Sequence, residues 1–441
     1  MSQPAKNSPI VIVGAGTWGI STALHLARRG YKDIKVLDPY PVPSPISAGN
    51  DVNKFLELAS SPVGDPDANY VSNAIAQATV SGWRNDPVQP YFHETGAIIA
   101  ATSQDARQDI ASGGGMTAAN GWIPRSTGQE FRETMPEGVL TGDFPGWQGW
   151  WKKDGAGWVA ARKGMESAAR EAARLGVTFI SGPAGRASEL VYAEDRAVKG
   201  VRTADGRIHL GVRTILCAGA AAESLLDMKD QLRPTAWTLA HIKMTPEEVK
   251  LYKDLPVLFN VERGFFMEPD EDKHELKICD EHPGYCNWVM ERGKLRSKPF
   301  AKHQIPLESE QRVRQFLRET MPHLASRPLS FARICWCADT PDRKFLISTH
   351  PEHRDLVLGV GGSGHGFAHI PSVGSLIADV MESKLDPRLK KAFRWRPETA
   401  VGRDWGALQG RYGPGGSNRV MNFQDIGEHE WTTIDLDQTK L

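Results

Sequence analysis

Ile10–Val13 is an unbroken apolar run between polar residues and glycine. A short run of that kind, bounded by turn formers, predicts a buried strand. Past residues 14–19 the apolar positions change period. Ile20, Ala23, Leu24 and Ala27 fall on one helix face, and Gly30 predicts its end. Residues 35–37 predict a second strand, closed by Asp38. A stretch rich in Pro, Ser and Gly follows at 39–49, and the pattern then predicts a helix over 50–60. Residues 93–158 are rich in glycine and tryptophan, with short apolar runs such as 96–101, which predicts an inserted sheet segment. A helix is predicted over 159–175, stopped by Gly176, and a strand over 177–180. The runs at 190–202 and 208–212, separated by Asp205-Gly206, predict a β-meander. Residues 214–220 read as a buried strand ending in the small residues Ala218 and Gly219, which let a strand abut a cofactor closely. Strand alternation returns from 234 to 277. A helix over 308–321, a strand over 356–360, a glycine-rich turn and a helix over 372–381 complete the pattern. Beyond Arg411 the chain reads as irregular and polar.

The chemistry begins at the first turn. Gly14-Ala15-Gly16-Thr17-Trp18-Gly19 sits between a strand and a helix, and Asp38 closes the next strand. Gly14 permits the tight turn, Gly16 lets the backbone approach a pyrophosphate, and Gly19 lets helix pack on strand. The helix N-terminus, with Thr17 and Trp18, faces the phosphates, and Asp38 accepts from the adenosine ribose. This predicts a dinucleotide site without separating FAD from NAD. Gly155-Ala156-Gly157 starts a similar motif but has Ala160 at the third glycine position, and reads as a turn entering the 159–175 helix. Small-residue strand ends recur in the middle of the chain and again at Ser363-Gly364-His365-Gly366-Phe367. Nucleotide-type signals in three separate places predict two discontinuous domains and a long cofactor, which favours FAD. The expected architecture is α/β: a Rossmann-type FAD-binding domain from 1–90, 155–225 and 330–441, and an α+β substrate domain with a mainly antiparallel sheet from 91–154 and 226–329.

Composition narrows the partners. The 441 residues carry 53 Lys plus Arg and 53 Asp plus Glu, so the formal net charge is zero. No basic excess points to nucleic acid or to an anionic membrane surface. No apolar run approaches the ~20 residues of a membrane span, and the first residues lack the pattern of a secretory signal. The five Cys, at 217, 279, 286, 335 and 337, are odd in number and scattered, which predicts reduced thiols. None has zinc-type C-x2-C spacing, so no metal is expected. The last residues, Thr439-Lys440-Leu441, approach a peroxisomal Ser-Lys-Leu address, so a cytoplasmic or peroxisomal location is expected.

Arg333-Ile334-Cys335-Trp336-Cys337-Ala338-Asp339-Thr340-Pro341-Asp342, taken with residues 14–19 and 363–367, resembles the sarcosine-oxidase group of FAD amine oxidases. In that group a Cys five residues before the Thr of a Thr-Pro-Asp turn forms a thioether to the flavin, and Cys335 has that spacing. A closer resemblance is to fungal fructosyl amino acid oxidases, the amadoriases. It is carried by residues 14–19, Asn50-Asp51-Val52-Asn53-Lys54, the stretches at 138–147 and 277–284, and Arg394-Trp395-Arg396-Pro397-Glu398-Thr399, and it spans about residues 8 to 435.

The resemblance implies an FAD enzyme, acting as a monomer, that oxidises the C–N bond of a fructosyl amine. The products are glucosone, the free amino acid or peptide, and H2O2 formed from O2. It implies Lys277 as the catalytic cation near the flavin, with Glu281, Arg411 and Trp237 against the substrate. The implied cofactor-binding set adds Ser47, Gly49, Asn50, Lys54, Ala218, Gly219, Cys335 (covalent), Ser363, Gly364, Gly366 and Phe367 to the first fingerprint and Asp38. His365 is implied to tune the flavin or bind substrate.

One departure stands out. Sarcosine oxidases and many amadoriases carry a lysine where this chain has Ala368, and His369 is the adjacent substitute. That argues against a small N-methyl amino acid as substrate, the alternative reading. Ala59, Ser60 and Ser61 are small, and at the entrance they would leave room for a bulky α-substituted ligand. An NAD dehydrogenase and a flavin-binding protein without turnover are the remaining alternatives.

Overall fold

The computed structural model describes residues 3–57, 65–112, 115–281, 284–291, 293–406 and 419–434. Ile10–Val13 forms the centre of a sheet, in parallel pairing with Ile34–Leu37 on one side and Arg213–Leu216 on the other. Thr178–Ile180 and Leu356–Val360 extend it in parallel, and Leu346–Thr349 adds an antiparallel edge, giving six strands among the described residues. The strands are apolar without alternation because both faces are covered. Helices Thr17–Arg28, Ala161–Arg174 and Val373–Met381 pack together over one face, burying Ile20, Ala23, Leu24 and Ala27 at the spacing the sequence showed.

A larger sheet has ten strands among the described residues and is mainly antiparallel. Its spine is Arg233–Lys243, paired along its length with Leu329–Asp339 and on its other side with Glu275–Cys279. Strand alternation divides the residues cleanly. Ala240, Ile242, Leu276, Ile278 and Ala332 face helix Leu307–Thr320 and share a core with its Val313, Phe316 and Leu317. The opposite parity places Trp237, His241, Lys277, Cys279, Arg333 and Cys335 together on the other face. Strand Leu329–Asp339, grouped by sequence with the cofactor domain, thus pairs within the second sheet. The β-meander is present as Ala187–Tyr192, Val198–Thr203 and Ile208–Leu210. Among the described residues no helix is long and apolar enough to cross a membrane.

Two local expectations are corrected. The helix over 50–60 is absent: Lys54–Glu57 is a strand, and 58–64 lie outside the described residues. Asp51 and Asn53 favour turns over helix interiors, and Lys54–Glu57 gains cross-strand pairing with Ala156–Val159. Ala156–Val159 is likewise a strand, held between Lys54–Glu57 and Phe92–His93, and the helix after it begins only at Ala161. Trp158 and Val159 are strand formers, and two flanking partners decide the matter.

Helices Thr17–Arg28 and Val373–Met381 cross where Gly374 N donates to Ser21 Oγ at 2.9 Å. A Cβ at Gly374 would lie 2.2 Å from the Ser21 carbonyl. Backbone cannot swing aside as a side chain can, so Gly374→Ala should cost about 1–3 kcal/mol. The expected result is a lower midpoint in denaturant unfolding; an unchanged midpoint would show that this crossing tolerates separation.

Candidate active and cofactor site

The glycine-rich stretches converge at the ends of the parallel strands. Gly14 has φ +102°, and a Cβ there would lie 2.5 Å from the Cys217 carbonyl oxygen and 3.1 Å from Ala218 Cα. At Gly19 a Cβ would lie 1.8 Å from the Gly14 carbonyl oxygen, so the helix seats on the turn only with glycine. Ala15 N donates to Asp38 Oδ2 at 2.9 Å and Tyr40 N to Oδ1 at 3.0 Å, which fixes Asp38 at its strand end. Gly16 approaches Ser47 Oγ, and Gly49 sits between Thr17 and Phe367. Gly49 N donates to Ser47 Oγ at 3.2 Å, while Asn50 is tied to Ser44 O and to Arg162 Nε. Trp18 Nε1 donates to Gly366 O at 3.0 Å, joining the first turn to the C-terminal one. Gly219 opens a short 3-10 turn directly after Ala218. Ser363 Oγ accepts from Thr340 N at 3.1 Å, and Arg343 Nη2 donates to Ser363 O at 2.6 Å, so Gly364 and its neighbours are braced by the Thr-Pro-Asp turn. Beside Asp38 lies a cavity of about 440 Å³, lined by Ala15, Tyr40, Val42, Arg170 and Phe179 among others.

The face of the larger sheet is laid out in rows. Cys335 pairs with Trp237; Arg333 with Leu239, and Leu239 with Cys279; Phe331 with His241, and His241 with Lys277. Asp280 N donates to Thr238 O at 3.2 Å, so the pairing continues past Cys279. Asp280 turns to the opposite side, where Ser309 Oγ and Arg312 Nε donate to it, each at 3.0 Å. Glu281 follows one residue later, close enough for its charge to act on Cys279. Burial pushes the Cys279 thiol up to about 12.

The charges centre on Asp51. Its Oδ2 accepts from Lys277 Nζ at 2.8 Å and from Lys54 Nζ at 2.7 Å. Burial alone would raise this carboxyl, but Lys277, Lys54 and Arg333 outweigh it and hold Asp51 far below the usual carboxylate range. Lys277 is 2% exposed, and its Nζ also donates to Asn53 O at 2.8 Å. Burial works against the Lys54 charge, yet Asp51, helped by the nearby Cys335, holds it above the ordinary lysine range. Arg333, 4% exposed, donates through Nη1 to Pro45 O and Ser47 O, tying this sheet to the loop beside the glycine turn.

Several expected residues fall elsewhere. Arg411, Ala59, Ser60 and Ser61 lie outside the described residues. Ala368 offers only its carbonyl, which accepts from Trp83 Nε1 at 2.7 Å. His369 is packed against Thr79 Oγ1 at 2.6 Å, and burial drops it to about 3, so it carries no charge near neutrality. His365 stacks on Phe345 with ring centroids 5.1 Å apart. Sequence reasoning gave no role to Asp51, Arg333 or His241. The Asp51-x-x-Lys54 spacing, and charged residues inside otherwise apolar strands, were the signals for them.

A family model described as FAD dependent oxidoreductase matches residues 9–380. The crystal structure of fructosyl amine:oxygen oxidoreductase (Amadoriase I) from Aspergillus fumigatus is similar at 57% identity and TM-score 0.93, covering 98% of this chain and 99% of that one. Amadoriase II from the same fungus, a deglycating fructosamine oxidase solved in complex with FSA, is 51% identical, with TM-score 0.93 and 98% of both chains covered. L-saccharopine oxidase of Schizosaccharomyces pombe is 29% identical over 410 residues, 88% of this chain and 93% of its own length. The residues in place fit FAD. The Gly14–Gly19 contact shapes a backbone cradle, Asp38 borders a nucleoside-sized cavity, and Arg333 Nη2 is buried with no hydrogen bond among the described residues.

Removing the one acid among these cations should be expensive. Asp51→Asn should cost about 3–5 kcal/mol in denaturant unfolding at neutral pH, because buried cations lose their counter-charge. Lys54→Met should cost less, since Asp51 keeps Lys277 and Arg333. The folded Asp51 titrates below its unfolded value of about 3.9, so its contribution is full above that pH and drains away as pH falls below it. Stability of the Asn variant should therefore depend less on pH below about 4 than the parent's; parallel acid sensitivity would remove Asp51 from this role.

Proposed function

The chain belongs to the FAD dependent oxidoreductase family, and from that premise we propose that it oxidises the C–N bond of fructosyl amino acids or fructosyl peptides. O2 is the final acceptor, and H2O2, glucosone and the free amino acid or peptide are the products. The observation that carries this reading is the buried Lys277–Asp51 pair on the sheet face it shares with Cys335 and Trp237. When bound, FAD supplies the two-electron oxidation of the C–N bond and passes the electrons to O2. The Gly14–Gly19 turn and the helix behind it hold the pyrophosphate, and Asp38 takes the adenosine ribose. The 47–50 loop, the strand end at Ala218 and Gly219, and the 363–367 turn close over the cofactor. Arg333 offers its remaining guanidinium N–H groups to acceptor atoms of the cofactor.

Lys277 uses two of its three ammonium N–H groups on Asp51 and Asn53 O. The third serves the oxygen that becomes anionic as it gains electrons, and burial keeps that cation fixed and strong. Trp237 forms a flat wall for the substrate, Glu281 accepts from its amine or sugar hydroxyls, and Arg411 takes its carboxylate. Ala368 and the uncharged His369 put no charge at the position where sarcosine oxidases carry a lysine, which favours the fructosyl reading. We assign a monomer, as the family resemblance implies. A peroxide producer suits the cytoplasm or a peroxisome.

Covalent attachment is assigned to Cys335, which shares the sheet face of Lys277 and Trp237 and lies near Lys54. After acid precipitation the yellow colour should stay in the pellet for the parent and for Cys337→Ala, and move to the supernatant for Cys335→Ala. Release by Cys337→Ala alone would reverse the assignment.

Lys277→Met keeps apolar length and leaves Asp51 with Lys54 and Arg333. It should slow reoxidation of reduced enzyme about 10²–10³-fold and slow reduction by fructosyl-valine far less. Stopped-flow traces of the two half-reactions read this directly, and unchanged reoxidation would take Lys277 out of the oxygen step.

A further inference from the structure

His241 is 4% exposed and lies directly opposite Lys277 in the antiparallel pairing, on the same sheet face. Directly opposed Cβ atoms lie about 4.5–5.5 Å apart. One ring nitrogen, Nδ1, is 3.0 Å from Glu275 Oε2. The other oxygen of Glu275 accepts from Ser330 Oγ at 3.1 Å and pairs at 2.9 Å with Lys243 Nζ, whose side chain is 54% exposed. Nε2 makes no hydrogen bond among the described residues. With Nδ1–H held by the carboxylate, the neutral tautomer carries its lone pair on Nε2. A buried polar atom left unmatched costs about 1–3 kcal/mol, so its retention on the residue paired with Lys277 calls for a use.

We propose that His241, its Nδ1 proton held by Glu275, returns a proton from Nε2 to Lys277. The inference rests on the oxidase reading above. Oxidation of the amine to the imine removes two electrons and two protons; O2 gains two electrons and two protons to become H2O2. The totals match: one hydrogen travels with the electron pair, and the other leaves the amine nitrogen as a proton and is needed at the oxygen. Lys277 Nζ gives one proton to the reduced oxygen. Nε2 of the imidazolium replaces it, directly or through a water; the ring keeps its Nδ1 proton on Glu275 and is recharged at Nε2 by solvent.

The groups that act on the ring support that order. Burial lowers the imidazole most, Glu275 and Asp51 raise it, and Lys277 lowers it, for a net lowered value. Glu275 is held down to about 2 despite burial, chiefly by His241 and Lys243, so it stays anionic. Phe331 packs on the ring at 4.9 Å, with His303 beyond it, and Arg333 lies in the next row. A group that spends most of its time neutral and charges briefly suits proton return better than a fixed cation.

The experiment has two arms on the holoenzyme. In the first, without substrate, exchange of the His241 C2 proton for deuterium is followed by mass spectrometry between about pH 5 and 9. A titrating ring is expected, with its midpoint raised in Lys277→Met, because a neighbouring cation has gone; a midpoint identical in the two proteins would uncouple His241 from Lys277 and overturn the proposal. In the second, His241→Gln keeps a hydrogen bond to Glu275 but carries no proton. It should slow reoxidation about 10-fold or more, with a larger solvent deuterium effect and partial rescue by added imidazole, while reduction by fructosyl-valine is nearly unchanged. Equal slowing of both halves, or slowing that imidazole does not relieve, would make the residue structural only. If the parent is not reduced by fructosyl amines at all, the oxidase reading fails; if the parent turns over and His241→Gln reoxidises normally, this inference alone fails.

Discussion

A single carboxylate, Asp51, holds two lysines at under 3 Å and lies in the field of a buried arginine. Taken alone, each cation would be costly to bury, and so would the acid. Together they fix each other. Lys277 and Arg333 come from two strands of the larger sheet, while Asp51 and Lys54 come from the segment that follows the glycine-turn unit. The cluster therefore locks the orientation of the sheet face against the loop that lies on the nucleotide fingerprint. Arg333 repeats the connection by bonding to Pro45 O and Ser47 O. Such an arrangement is poor as a stability device, since well-packed apolar residues do as well. It makes sense as a way to hold a charged ammonium in a dry place, where its field acts at full strength.

The sheet supplies the other half of the arrangement. Strict alternation along Arg233–Lys243 and its two neighbours gives one face to the helix-backed core and the other to Trp237, Arg333, Cys335 and Lys277. A slip of one residue in any of these strands would exchange the two sets. The core on the apolar face, with Phe316, Leu317 and Ile278 fully buried, is what keeps the register. Packing in one layer thus sets the chemistry of the next.

Much of this was legible in the chain. The first turn and Asp38 combine local patterns with a known physical use, and the structure brings them to the Gly366 turn and to Ala218. Lys277 and Cys335 were singled out only through resemblance, because a lysine or cysteine in an alternating strand has no signature of its own. The segment around Lys54 misled: its pattern fits a helix, and the competing strand partner, Ala156–Val159, is about a hundred residues away. For the same reason Asp51 was invisible as a hub. Its partners at 277 and 333 meet it only after both sheets have formed. His241 was hidden in an apolar strand whose polar parity becomes evident once Glu275 and Lys277 are set opposite.

The central claim is that this face serves a fructosyl amine oxidase. The most direct measurement is the flavin absorbance of the purified protein under anaerobic conditions, on adding fructosyl-valine and separately sarcosine, followed by admission of O2. The account predicts bleaching by fructosyl-valine and not by sarcosine, then rapid return of colour with one H2O2 formed per amine oxidised. Bleaching by sarcosine alone, or colour that O2 fails to restore, would contradict it.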